Sequence, residues 1–345
     1  MSYFAYPHGY LYPNEFFEPI LWLPVMVAYT LLISIASGSA IIGALGVITP
    51  WTWFRENRLF FLKLAAATSP VILLGPLADI RHPERGIFVL IYSHIFPSET
   101  HPGSSLIAIL ANLWLPFVLS VWGTLFFLKR KPVVSKFLAY IALFLGAVWS
   151  TYYAGLLITA DTKLYLYNFL PLLPMGFFLG AILLSVSLYG FLSGRINSLS
   201  SKILFWTLVS FLFLRALEGL RLFILFGGTP LLENASKVYS GLNTLSLFLF
   251  LLALGLSYLS TFKGVSLLNL LSSVLTIIAL VLDRWNIVVN TQLVSKTTLT
   301  TLDYNVPLSH WLPEALAFFF FAFGLYALIS MKVFERRILG GVENG

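Results

Sequence analysis

The stretch EPILWLPVMVAYTLLISIASGSAIIGALGV, Glu18 to Val47, decides the class of fold. After Glu18 no charged residue occurs until Arg55. A helix needs roughly 20 apolar residues to cross the hydrocarbon core of a bilayer, and this run exceeds that length. Pro24 within it predicts a tilt or a kink. Eight further runs of the same kind follow, giving candidate spans at about 18–47, 59–78, 105–128, 137–160, 167–192, 203–226, 241–260, 265–284 and 313–331. The second holds Lys63, Pro70 and Pro76. The composition agrees: 59% of the 345 residues are hydrophobic and 10% are charged, with a mean hydropathy of +0.89. A soluble domain carries about 25% charge. The expectation is therefore an all-α, polytopic transmembrane helix bundle, 1–345 forming a single integral membrane domain of about nine spans.

The net charge of +7 is a topological signal before it is a sign of nucleic acid, for which nothing else in the sequence speaks. One set of loops holds Arg55, Arg58, Lys63, Lys129, Arg130, Lys131, Lys136, Arg195, Lys202, Lys263, Lys332, Arg336 and Arg337. The opposite set holds Arg81, Arg85, Lys163, Lys237, Arg284 and Lys296. The richer side is expected to face the cytoplasm. That puts the N-terminus outside and the C-terminus inside, in a multi-pass protein of the cell membrane. All five histidines and the sequon Asn234-Ala235-Ser236 then fall on the outer side, the sequon in a loop. The first residues lack a basic n-region and a cleavage site, so they read as a mature segment. SAIIGA (Ser39 to Ala44) and GFFLGA (Gly176 to Ala181) have small-xxx-small spacing. They fit ordinary helix contacts or a weak internal repeat of two bundles.

Four groups of residues are able to carry chemistry. LADIRHPERG, Leu77 to Gly86, places Asp79, Arg81, His82, Glu84 and Arg85 at one membrane edge. A carboxylate or imidazole there exchanges protons, and an arginine favours the ionised carboxylate. A solvated loop with ion pairs of little worth is the competing reading. Trp149, Tyr152 and Tyr153 near the end of the fourth span suit an interfacial aromatic belt. Alternatively, a tyrosine hydroxyl there hydrogen-bonds a carbonyl oxygen. In the sixth span, Arg215, Glu218 and Arg221 share one face at i, i+3 and i+6. Arg215 lies twelve residues, roughly 18 Å, beyond Ile203, well within hydrocarbon. Intramembrane charges are costly and mark an interior or functional face. Two readings stand here too: a self-paired network, or part of a proton path or polar cavity. Asp283 and Arg284 close the eighth span at the outer interface, followed by Trp285, Asn286 and Asn290. The ninth opens with Pro313 at its start and Glu314 in its first turn.

The sequence also narrows the chemistry. Cysteine is absent, so thiolate iron–sulfur ligands, disulfides and c-type haem attachment are not expected. No histidine lies deep in a span, so haem between the helices and a metal site are not expected either. A Walker loop, an HExxH pair and a nucleophile elbow are lacking.

Several motifs, in order, resemble the NrfD/PsrC-type membrane subunits of polysulfide reductase and its relatives. IASGSAIIGAL resembles their small-residue first span, and LLGPLADIRHPERG their acidic residue followed by Arg-Pro-x-Arg, with His82 just before the proline. FPSETHPGS resembles the loop before the third span, STYYAGLLIT the tyrosine–glycine motif of the fourth, and PLLPMGFFLGAILL the fifth. DRWNIVVN and LSHWLPEALAF resemble elements of longer members. The resemblance implies a cofactor-free, quinone-binding anchor with no haem and no iron–sulfur cluster in this chain. It also implies a four-cluster ferredoxin-like iron–sulfur subunit and a molybdopterin catalytic subunit on the outer face. Tyr153 carries over as a quinone hydrogen-bonding residue, and Asp79 as part of the outer polar region. The family's first-span Asn and His align here with Val25 and Tyr29, so the quinone contacts shift to Tyr29, Asp79, His82 or Arg284.

The implied function is oxidation of a menaquinone-like quinol at the outer face of a respiratory sulfur or polysulfide reductase-type complex. Asp79, His82 and Tyr153 would act in proton handling, and Arg215, Glu218 and Arg221 would form a polar path. The chain would carry the quinol site of an oxidoreductase but not its terminal catalytic centre. The alternative is a secondary transporter whose intramembrane charges bind a substrate or ion.

Overall fold

The computed structural model describes residues 24–75, 106–160, 171–193, 198–293 and 307–332. Among them there is no strand, and there are nine long helices. These are α1 Val25–Ile48, α2 Thr52–Thr68, α3 Leu106–Phe127, α4 Pro132–Ala160 and α5 Leu172–Leu192, then α6 Ser198–Phe226, α7 Pro230–Lys263, α8 Ser266–Val288 and α9 Leu312–Ser330. Each coincides with one of the nine hydrophobic runs. Seven are long and apolar enough to cross a bilayer; α2 and α6 fall outside that set. The first spans 17 residues and carries Arg55, Glu56, Arg58 and Lys63. The second carries Lys202, Arg215, Glu218 and Arg221.

Helix ends depart from the hydrophobic runs for local reasons. Pro24 does not kink a span: it is the N-cap of α1, where the missing N–H breaks no hydrogen bond. The helix α2 starts seven residues before its apolar run, so Arg55, Asn57 and Arg58 ride on its first turns. It stops at Thr68, and Pro70 leads into a 3-10 turn at Val71–Leu73. The helix α7 begins at Pro230, eleven residues before its run. Thr229 caps it by accepting from Leu232 N, Pro230 sits in its first turn, and Glu233 follows. The sequon Asn234-Ala235-Ser236 therefore lies in the first turns of a helix rather than in a loop. The other end of α7 is closed by Gly264 at φ +69°, a left-handed cap that glycine adopts without a Cβ clash.

Helix α1 is the centre of the bundle. All its residues are buried except Leu45, Val47 and Ile48, as expected of a helix that is hydrophobic all round. It packs on α2, α4 and α5. A Cβ at Gly38 would collide with the Ala181 carbonyl of α5, and one at Gly46 with the Phe54 carbonyl of α2. Ser39 Oγ donates to Ser185 Oγ at 3.1 Å across the α1–α5 seam. On the periphery, Phe320, Phe223, Trp206 and Phe248 are more than half exposed. Apolar surface on this scale is suited to lipid rather than water.

Neighbouring helices run antiparallel, which brings particular levels together. Tyr189 of α5 donates to Asn57 Oδ1 of α2 at 2.7 Å, and Gly190 lies against Ser273 and Asn269 of α8. Three turns nearer the start of α5, Gly180 lies against Arg284, near the end of α8.

Candidate functional site

The charges of α6 and α8 form one network. Arg215 Nη2 donates to Asp283 Oδ2 at 2.6 Å, and Arg215 Nη1 donates to Glu218 Oε2. Arg284 Nη1 lies 3.7 Å from the same Asp283 Oδ2. The side chains of Arg215, Glu218, Asp283 and Arg284 are 14%, 5%, 11% and 1% exposed. Water does little for any of them. Two guanidinium and two carboxylate groups balance one another, which is the condition under which buried charge is tolerated. Asp283 is the hinge of the arrangement, since both arginines face its Oδ2.

Helix α5 supplies the wall. The Arg284 guanidinium lies 3.6 Å from the centroid of the Phe177 ring, a desolvated cation–π contact. A Cβ at Gly180 would sit 2.6 Å from Arg284 Nη2, and one at Gly176 would sit 3.5 Å from Glu218 Oε1. GFFLGA is therefore a notch for the ion network, with Gly176, Phe177 and Gly180 on the face that receives it. Arg215 in turn lies 5.0 Å from the Phe211 ring on its own helix.

Glu218 keeps one oxygen in reserve. Its Oε1 is buried and finds no hydrogen-bond partner among the described residues. Such an atom bears a desolvation cost of about 1–3 kcal/mol. It lies beside Gly176 of α5. Further along α8, Asn290 Nδ2 donates to Asn286 Oδ1 at 2.6 Å, while Asn286 Nδ2 is buried without a partner among the described residues.

Asp283 and Arg284 do not meet the interface. The helix runs on to Val288 and a 3-10 turn continues through Leu293, so both lie inside the bundle. Arg221 lies on α6 beyond Glu218 and is partly buried. Tyr29 is buried in the first turns of α1, its ring pressed on Gly75, where a Cβ would collide with it. Gly75 precedes Asp79 by four residues, so Tyr29 stands at the root of the LADIRHPERG loop. That loop, with Asp79, His82 and Arg81, lies outside the described residues. Tyr153 falls within α4. Trp149 is 2% exposed and packs on Phe117 with centroids 6.2 Å apart; it is a core residue and not part of an interfacial belt. No group of three metal-ligating side chains occurs among the described residues.

The sequence singled out Arg215 and Glu218 for a polar path and Arg284 for the quinone, without joining them. It read Asp283 as interfacial and gave it none, and it missed the parts played by Phe177, Gly176 and Gly180. The available signal was the pair of small residues spaced four apart on α5.

An all-helical, lipid-faced bundle with paired charges in its interior defines a multi-pass membrane protein. No protein-family model matches the chain. It is 27% identical over 364 residues to one of the subunits of tetrathionate reductase from Archaeoglobus fulgidus, an alignment covering 94% of this chain and 96% of the relative. The chain is thus similar over nearly its whole length to a subunit of a reductase, in keeping with the resemblance that its motifs carry.

Proposed function

We propose that this chain is the quinol-oxidising membrane anchor of a respiratory reductase, passing electrons to an iron–sulfur subunit on the outer face. The observation that carries the reading is the buried network of Arg215, Glu218, Asp283 and Arg284 with its spare carboxylate oxygen. A quinol gives up two electrons and two protons, so its site needs proton acceptors away from bulk water. The buried Oε1 of Glu218 has that character, and Tyr29 at the root of the Asp79 loop offers a hydroxyl to a carbonyl oxygen. These groups suit a quinone head. Arg284 is engaged with Phe177 and Asp283, so it would hold the field of the site rather than grip the ligand. Tyr153, Asp79 and His82 complete the proposal as hydrogen-bonding and proton-exchanging groups, and Arg221 extends the polar face of α6.

Electrons would leave directly for the partner's nearest cluster, since the chain has no thiolate to hold one of its own. A four-cluster ferredoxin-like subunit and a molybdopterin subunit are the expected partners. The relative's name favours a sulfur oxyanion as terminal acceptor.

Purification of the tagged chain from its native membrane tests the reading. An iron–sulfur subunit is expected to come with it. Tyr153→Phe and Asp79→Asn should each slow quinol oxidation at least tenfold, with membrane abundance kept within twofold, in line with loss of a positioned proton-transfer group. Equal losses of turnover and abundance would return both residues to a structural role. Uptake of a labelled solute by the chain alone, with no iron in the preparation, would favour the transporter instead.

A further inference from the structure

We propose that the turn between α3 and α4 is a binding site for anionic phospholipid headgroups. Lys129, Arg130, Lys131 and Lys136 fall within eight positions, and no acidic residue lies between Phe126 and Tyr140. All four cations are exposed. The turn itself is firmly built. Lys131 N donates to Phe127 O at 2.9 Å, Ser135 N to Lys131 O at 3.0 Å, and buried Ser135 Oγ to Thr124 O at 2.8 Å. The Arg130 guanidinium is folded back over the Phe126 ring at 4.1 Å.

That folding sets the chemistry of the surface. Arg130 is held at the level of an apolar ring rather than extended into water. Exposed Val133, Phe137 and Tyr140 continue from the cations down one side of α4. Cations above and exposed hydrocarbon below match a phosphate headgroup above and its acyl chains below. A charge bias that only sets topology requires no such gathering. The described turn between α7 and α8 carries a single cation, Lys263. Each Lys or Arg near a membrane surface strengthens attraction to anionic lipid several-fold, so three on one rigid turn and a fourth at the start of α4 make a selective site.

This inference rests on the chain spanning a bilayer and is independent of the quinol reading. Its test uses the full chain, with any co-purifying subunits, in nanodiscs of phosphatidylcholine alone or doped with phosphatidylglycerol. Bound lipid is then counted by native mass spectrometry. Wild type should retain phosphatidylglycerol over phosphatidylcholine. The combined variant Lys129→Gln, Arg130→Gln, Lys131→Gln, Lys136→Gln should lose on the order of tenfold of that retention, while Lys263→Gln keeps it. Raising salt on wild type should release the lipid, which tests the site even if the combined variant fails to fold. Equal retention by wild type and the combined variant, or indifference to salt, overturns the proposal. So does displacement of the lipid by millimolar inorganic phosphate, which would mark a free-phosphate site. Loss of a co-purifying subunit with the lipid count unchanged would assign the turn to a protein partner and overturn it as well.

Discussion

Two stretches with the same spacing of small residues do different work. In α1, Gly38, the residue just before SAIIGA, lets a helix backbone close on a helix backbone: an added Cβ would strike the carbonyl of Ala181. In α5, Gly180 opens space for a side chain: an added Cβ would strike the end of Arg284, while one at Gly176 would only touch Glu218. The first arrangement holds two helices together by packing and the Ser39–Ser185 hydrogen bond. The second holds a charge network that no packing of apolar groups would need. Small-xxx-small spacing therefore announces a close approach without saying what approaches. The seam is expected to govern assembly, and the notch to govern activity.

The largest blow to the notch is Asp283→Asn, which leaves Arg215 and Arg284 facing a neutral amide. Breaking a buried ion pair costs about 3–5 kcal/mol. Thermal unfolding of the purified protein should show a loss of that size, with quinol-linked turnover falling further than abundance. Wild-type unfolding would mean that water reaches the network. Gly38→Ala comes next. The obstacle is backbone, so α1 and α5 must part, at about 1–3 kcal/mol for overpacking. Membrane abundance should fall, and the protein that survives should turn over at the normal rate. Gly180→Ala should be milder in stability, about 1 kcal/mol, because the obstacle is the end of a side chain. It should slow turnover more than it lowers abundance, the reverse of Gly38→Ala. Identical profiles for the two glycine variants would erase the distinction between seam and notch. The smallest effect belongs to Ser39→Ala, at about 0.6 kcal/mol for one interhelical hydrogen bond within a membrane, read as a slight shift in unfolding with unchanged turnover.

The helices were legible because long apolar runs have few other uses. Their ends were less so. Hydropathy dropped at Arg55 and at Glu233, yet α2 and α7 ran through both. At α7 the signal was present as Thr229, Pro230 and Glu233, a start motif that the hydropathy run concealed. The charges of α6 were legible as costly, and hence as belonging to the interior. Their partnership with α8 was not, because Asp283 lies 68 residues from Arg215 and no local periodicity links them. Asp283 looked interfacial because hydropathy ended there, whereas the helix carried on to Val288. Trp149 matched an interfacial belt by type, but its packing on Phe117 places it in the core.

Delivery of electrons from quinol to a partner that holds the clusters is the central claim. The complex isolated under anaerobic conditions, mixed with a soluble menaquinol analogue, tests it most directly through the visible absorbance of its iron–sulfur centres. Quinol should bleach those centres in wild type. Glu218→Gln should slow the bleaching at least tenfold while iron content is unchanged, as expected for loss of a proton acceptor. A complex that contains iron but stays unbleached by quinol, or a preparation with no iron at all, would contradict the claim.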